Sequence, residues 1–334
     1  MTSYICRDCL SKLRLQASPR QTHHPSHLRL LSRRSQSTTT STSQTTKLPL
    51  SALTPSQLSL YWDTTPPDST QLSYADDFFT PTAHSPTRLF SASRFRTIPA
   101  DTAAPEVAFL GRSNVGKSSL LNAIMGKEMC WTSSRPGRTR EMNAFEIIPP
   151  RKGKVISRSS SSRIVLLDMP GYGKASRTEW GVEILKYLRQ RRQLRRTFLL
   201  IDSLHGPKDL DRDLLLLLRE AAIPHQVIVS KADRVLVKNR SQSPRTLEDR
   251  GVDPARLADL QTRLHALRAE VQPNYGPGAL GEILACSAET VVDRKSKKKT
   301  PLGISAIRWA ILTATGFDGS LDLFAARVQE EAAN

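Results

Sequence analysis

Residues 111–118 read GRSNVGKS, a match to G-x-x-x-x-G-K-[ST], and this stretch limits the possible folds more than any other. Such a loop works only between the end of a buried strand and the start of a helix, where successive backbone N–H groups turn towards phosphate oxygens. Both neighbours are present. EVAFL (106–110) is a short apolar run, and KSSLLNAIMG (117–126) places Leu120, Leu121 and Ile124 on one side at helical spacing before Gly126 stops it. Gly111 and Gly116 let the backbone wrap the phosphates, Lys117 reaches the β- and γ-phosphates, and Ser118 offers a hydroxyl to Mg²⁺. The candidate phosphate cradle is therefore Gly111, Arg112, Ser113, Asn114, Val115, Gly116, Lys117, Ser118 and Ser119.

Further along, RIVLLDM (163–169), TFLLIDS (197–203), HQVIVSK (225–231) and EILACSA (282–288) read as buried strands. Helical segments lie between and after them, at about 179–193, 208–222, 254–271 and 303–315. Strands alternating with helices predict an α/β fold with a mostly parallel sheet covered on both faces. MNAFEII (142–148) is expected to pair antiparallel with 163–169, giving six strands, one of them antiparallel.

Two further motifs fall at strand ends. Asp168 to Gly171 is a D-x-x-G, in which Asp168 would hold Mg²⁺ and the Gly171 N–H would sense a γ-phosphate. SKAD (230–233) ends the next strand but one. Asp233 can accept two hydrogen bonds from the guanine N1–H and exocyclic amine, which adenine does not offer, and Lys231 can lie along the base. CSAE (286–289) would close the base pocket through the backbone of Ser287 and Ala288. In this order the three motifs point to GTP or GDP with Mg²⁺, against a P-loop kinase or ATPase.

The chain has 334 residues, and its 49 Lys+Arg against 31 Asp+Glu leave a formal charge of +18. That excess favours a polyanionic partner such as RNA, although charge also aids solubility. Residues 1–46 are rich in Arg, Ser and Thr with one acid, Asp8, and SQSTTTSTSQTT (35–46) is of low complexity. Such a start predicts a mitochondrial transit peptide, with a disordered basic tail as the plain alternative. Residues 47–103 read as an extended Pro/Ser/Thr-rich segment, 104–318 as the nucleotide-binding domain and 319–334 as a tail. Basic insertions near 151–163, 235–251 and 293–300 read as loops. No run of 18 apolar residues exists, so no membrane span is expected. Cys6 and Cys9 have C-x-x-C spacing but no second pair completes a zinc site.

PEVAFLGRSNVGKSSLLNAI, SRPGRTREMNAFE, LLDMPGYGKAS, LIDSLHGPKDLDRDLLLLLRE and IPHQVIVSKAD together resemble the EngB (YihA/YsxC-type) GTPases, translation-associated members of the Ras-like P-loop superfamily. The resemblance covers about 104–234 and extends to about 315. It implies a Ras-like P-loop GTPase fold, GTP hydrolysis, and assistance to assembly of the large ribosomal subunit. With the leader, that means mitochondrial ribosomes or their precursors, with rRNA as the contact. RPGRT would belong to the first switch, with Thr139 joining Ser118 and Asp168 as a metal ligand. Ser230 stands where the family usually has Thr; it keeps a hydroxyl and loses bulk.

In many GTPases the residue after the D-x-x-G glycine is a Gln that orients water; here it is Tyr172. A phenol near its ordinary pKa of about 10 is a poor base at neutral pH, which makes Tyr172 a switch or partner contact. The resemblance to cation-dependent GTPases makes Asn114 a candidate for holding K⁺ against the phosphates; the alternative is that Asn114 only buttresses the loop. The candidate catalytic set is Asn114, Lys117, Thr139 and Gly171. LKYLRQRRQLRR (185–196) is expected to place Lys186, Arg189, Arg191, Arg192, Arg195 and Arg196 near one helix end, beside the switch, as an RNA grip. The competing reading is a GTP/GDP-gated interaction protein without catalysis.

Overall fold

The computed structural model describes residues 47–99, 104–131, 141–150, 162–172, 178–237, 251–273, 278–292 and 299–319. The leader 1–46, Thr139, the tail 320–334 and most of the three basic insertions lie outside the described residues.

Eight strands form one mixed sheet: β1 (Leu60–Tyr61), β2 (Thr87–Ala92), β3 (Glu106–Gly111), β4 (Met142–Ile147), β5 (Ile164–Asp168), β6 (Leu194–Asp202), β7 (His225–Ser230) and β8 (Glu282–Ala285). Their order across the sheet is β1-β8-β7-β6-β3-β5-β4-β2. The central run β8-β7-β6-β3-β5 is parallel. β4 pairs antiparallel with β5, with Phe145 opposite Leu166, as expected from sequence. The expectation of six strands is corrected to eight. β1 closes one edge against β8, and β2 closes the other against β4, both antiparallel. Both come from residues 47–103, where Pro and Ser hide two short edge strands from any periodicity argument.

Alternation along the central strands builds two cores. Ala108, Leu110, Leu199, Ile201, Val227 and Val229 face one side. They meet α4 (Thr178–Gln190), α5 (Asp209–Glu220) and α7 (Pro254–Val271) through Tyr187, Leu218 and Leu260, with the single turns α1 (Pro55–Leu58) and α6 (Asp233–Leu236) adding Leu58 and Leu236 to the same core. Val107, Phe109, Phe198, Leu200 and Ile228 face the other side. They meet α2 (Ser69–Phe78), α3 (Lys117–Met125) and α8 (Ile304–Thr315) through Phe78, Leu120 and Ile307. Phe109 stacks on Phe198 with ring centroids 5.1 Å apart. Burying such apolar faces at about 25 cal/mol per Å² is what holds helices to a sheet.

Arg308 of α8 fastens the far end of α3. Its guanidinium donates to the Ile124 and Ala123 carbonyls at 2.9 and 3.0 Å, where a helix C-terminus is partly negative, and pairs with Asp76 of α2 at 2.8 Å. The helix that starts at the phosphate loop is thus anchored at its other end.

Candidate nucleotide site

Gly111, Asp168, Asp202 and Ser230 each end a parallel strand, and Cys286 to Ala288 follow the end of β8. All five points therefore lie at the carboxyl edge of the sheet, around the place where strand order reverses from β6 to β5 on either side of β3. Open α/β sheets bind ligands at such a crevice.

The phosphate loop leaves β3 at Gly111 and enters α3 at Lys117. Gly116 has φ of +101°, a conformation that a side chain disfavours. Asn114 takes φ of +66° despite carrying a side chain, which marks strain in the loop. Val115 is buried and its carbonyl accepts the Ser230 hydroxyl at 2.7 Å. A hydroxyl at position 230 thereby ties the SKAD segment to the phosphate loop. Ser118 and Ser119 sit half-buried in the first turn of α3, where N–H groups have no intrahelical partner.

Lys117 is buried and its ammonium bonds the Asp168 carboxylate. The two groups assigned to phosphate and metal thus neutralise each other. Gly171 approaches the loop so closely that a Cβ there would lie 3.1 Å from Ser113 N and Oγ. The cradle fits an anion and a divalent cation: a paired lysine and carboxylate can part to take opposite charges, and the glycine leaves no bulk between them.

Base recognition is equally well marked. Asp233, 7% exposed, makes no hydrogen bond or ion pair with any described residue through its carboxylate. A carboxylate accepts only, so a ligand with two N–H donors would match it. Lys231, at φ of +57°, donates to the Asn114 carbonyl at 2.6 Å and to Asp202 at 3.0 Å. Ser287 and Ala288 divide their work. The Ser287 N–H already donates to the Leu302 carbonyl, and its hydroxyl accepts from Thr290 N, so Ser287 shapes the loop. The Ala288 N–H keeps no backbone partner among the described residues. Ala232 N donates to the Cys286 carbonyl and locks the two base-reading loops together.

Sequence reasoning missed Asp202, although it lies in the quoted LIDSLHGP. It accepts from Leu204 N, His205 N and His205 Nδ1 as well as Lys231. Burial would raise its carboxyl, but the Lys231 and His205 hydrogen bonds outweigh that and bring it down to about 2. A cleft of about 240 Å³ beside the loop is lined by Arg112, Asn114, His205, Lys208, Lys231 and Arg234 among others, a predominantly cationic wall suited to an anionic ligand.

Tyr172 acts neither as base nor as free surface. Its hydroxyl donates to Asp211 Oδ1 at 2.6 Å, and burial together with the Asp211 charge holds the phenol well above its ordinary value. Asp211 also missed notice, because nothing in a one-dimensional pattern joins positions 39 residues apart.

The run 185–196 is corrected in two respects. α4 ends at Gln190, so the later cations are not helical. Arg191 forms a buried two-pronged pair with Glu106 at 2.6 and 2.9 Å, and Arg196 bonds Gln226 and the Ala310 carbonyl. Lys186 pairs with Glu183. Arg189, Arg192 and Arg195 remain exposed without an ion pair among the described residues. They sit by the start of β6, level with Glu106 at the start of β3, which is the end of the sheet opposite the phosphate loop. The run therefore lies away from Asp168 to Tyr172: α4 is 13 residues long, which at about 1.5 Å per residue carries the chain away from that end of the sheet.

Comparison with known proteins agrees with the geometry. A family model described as "50S ribosome-binding GTPase" matches residues 106–231. A probable GTP-binding protein EngB from Rhodospirillum rubrum is 45% identical over 136 residues, 39% of this chain and 55% of that protein. A Rhodopseudomonas palustris protein of the same name is 38% identical over 191 residues, 55% of this chain and 73% of its own length. A crystal structure of a probable GTP-binding protein engB superposes with a TM-score of 0.37 at 21% identity, covering 63% of this chain and 98% of that one. The matched region spans 55–62% of the length of the first three curated relatives. Identity of 38% sustained over 73% of a relative, with phosphate loop, D-x-x-G and SKAD converging at one sheet edge, makes this chain a member of the EngB family of GTP-binding proteins.

Proposed function

We propose that the protein binds GTP and GDP with Mg²⁺, hydrolyses GTP slowly, and acts as a switch in assembly of the mitochondrial large ribosomal subunit. The observation that carries the nucleotide reading is the convergence of the phosphate loop, Asp168 and the SKAD segment at one edge of the sheet, tied by the Ser230 hydroxyl to Val115 and by Lys231 to Asn114. Lys117 and the first-turn N–H groups of α3 would hold phosphate. Ser118 and Asp168 would hold Mg²⁺, with Thr139 as a further ligand. When bound, the metal would neutralise charge on the β- and γ-phosphates. The Gly171 N–H would orient the γ-phosphate, and Asn114 would place K⁺ where charge develops.

Support for the ribosomal part comes from the formal charge of +18, the leader composition and the "50S ribosome-binding GTPase" description of the matching family model. The non-catalytic reading draws on Tyr172: its hydroxyl is held by Asp211, so position 172 supplies no group to orient water. Single-turnover hydrolysis with and without K⁺ separates the two, and a measurable K⁺-stimulated rate is expected. Asp233→Ala should lower GTP affinity at least about 100-fold, by analogy with sites that hydrogen-bond their substrate, while GTP competes ATP away from the wild type. Equal binding of ATP and GTP would remove the guanine assignment. Organelle fractionation after depletion should show accumulated large-subunit precursors; an unchanged precursor profile would remove the ribosomal one.

A further inference from the structure

Tyr172 follows directly on Gly171, the residue assigned to meet a γ-phosphate, and both its backbone and its side chain are engaged. Its carbonyl accepts the Ser113 N–H at 3.1 Å, and its own N–H reaches the Gly111 carbonyl at 3.4 Å. A phosphate-loop donor is thereby occupied by the chain itself. At the other end of the residue, the phenol donates to Asp211 Oδ1 at 2.6 Å. The second oxygen, Asp211 Oδ2, pairs with Arg112 Nε at 3.1 Å and accepts Lys208 N at 2.9 Å. Asp211 has no exposed surface. One carboxylate on the first turn of α5 therefore joins the phosphate loop, through Arg112, to the segment that must answer the γ-phosphate, through Tyr172.

We infer that Arg112, Asp211 and Tyr172 form a catch that parks the Gly171 segment on the phosphate loop and that a γ-phosphate has to release. The inference rests on the reading that this site binds GTP and GDP. The parked arrangement presses the Gly171 segment against the loop: the Ser113 N–H is taken by Tyr172, and a Cβ on Gly171 would lie 3.1 Å from Ser113 N and Oγ. GDP has no γ-phosphate and leaves the Gly171 segment where it is. GTP must displace it, so its apparent affinity is reduced by the fraction of molecules that are parked. The catch thus sets the preference between the two nucleotides, and Tyr172 acts as a positioning residue whose ring fills space and whose hydroxyl holds the latch. This gives position 172 a task that a Gln would not perform.

The test uses the full chain, with Tyr172→Phe and Asp211→Asn, each checked for cooperative thermal unfolding. Dissociation constants are measured separately for GDP and a non-hydrolysable GTP analogue with Mg²⁺. A hydrogen bond to a charged partner lost from the parked state should shift the GDP-to-analogue preference about 5–30-fold towards the analogue. GDP affinity should change less than about threefold, and the double variant should add little to either single one. Tyr172→Phe keeps the ring and so keeps the packing; should it fail to fold, Asp211→Asn reads the same latch. A preference unchanged within twofold in folded variants overturns the catch while the nucleotide reading stands. A wild type that binds neither nucleotide overturns the nucleotide reading, and the catch with it.

Discussion

Glu106 enters β3 with no exposed surface, and a carboxylate in that position costs several kcal/mol unless it is paired. Arg191 supplies the pair with two hydrogen bonds, and Tyr187 donates to the same carboxylate from α4. A third Arg191 nitrogen reaches the Pro99 carbonyl at 2.8 Å, so one guanidinium joins β3, α4 and the segment leading into the domain. Replacing it leaves a buried charge without compensation. Arg191→Ala should therefore lower stability by about 3–5 kcal/mol, whereas Arg192→Ala, at an exposed position, should stay within about 0.5 kcal/mol. Urea denaturation of the two variants checks this, and equal losses would refute the division. The same residues show the limit of sequence reading. Arg191 and Arg192 are identical letters in a basic run; only the fold, through a partner 85 residues away, distinguishes them.

Among the elements, the helices and central strands were legible because their signals are local. The spacing at 254–271 predicts the observed α7, Pro254–Val271, which begins with an Asp253 cap and Pro at its first turn. β1 was illegible because a two-residue strand has no period, and its pairing with β8 spans more than 200 residues. Its consequence reaches the nucleotide site. Ser59, just before β1, accepts the Ala285 N–H through its hydroxyl at 3.0 Å, immediately before the loop that carries Ser287 and Ala288. Leu48 exchanges two backbone hydrogen bonds with Val252, close to the start of α7. The stretch from Leu48 to Tyr61 therefore braces the β8 side of the sheet. Ser59→Ala leaves a buried N–H unpartnered, which costs about 1–3 kcal/mol. Part of that loss should appear as weaker guanine-nucleotide binding, because the loop it steadies is the one proposed to close on the base. Calorimetric titration with GDP checks the coupling; unchanged affinity in a destabilised Ser59→Ala protein would confine β1 to a stabilising role.

Across the whole molecule, the parallel strands impose a polarity. The strands bearing the phosphate-loop, D-x-x-G and SKAD motifs deliver them at their carboxyl ends, while Arg189, Arg192 and Arg195 stand at the opposite end, by the start of β6. A basic surface there can hold RNA phosphates throughout the nucleotide cycle, since no described segment of the switch touches it. Control by nucleotide would then come from whatever surface adjoins the phosphate loop. On the proposed rRNA contact, replacing all three arginines with alanine should weaken binding to large-subunit rRNA and flatten the dependence of log K on log salt by about 2–3, near one unit for each phosphate no longer neutralised. The weakening should be equal with GDP and with a non-hydrolysable GTP analogue. Titrations by fluorescence anisotropy at several KCl concentrations read both quantities. A weakening confined to one nucleotide state would couple this end of the sheet to the switch, against the separation that the strand directions impose.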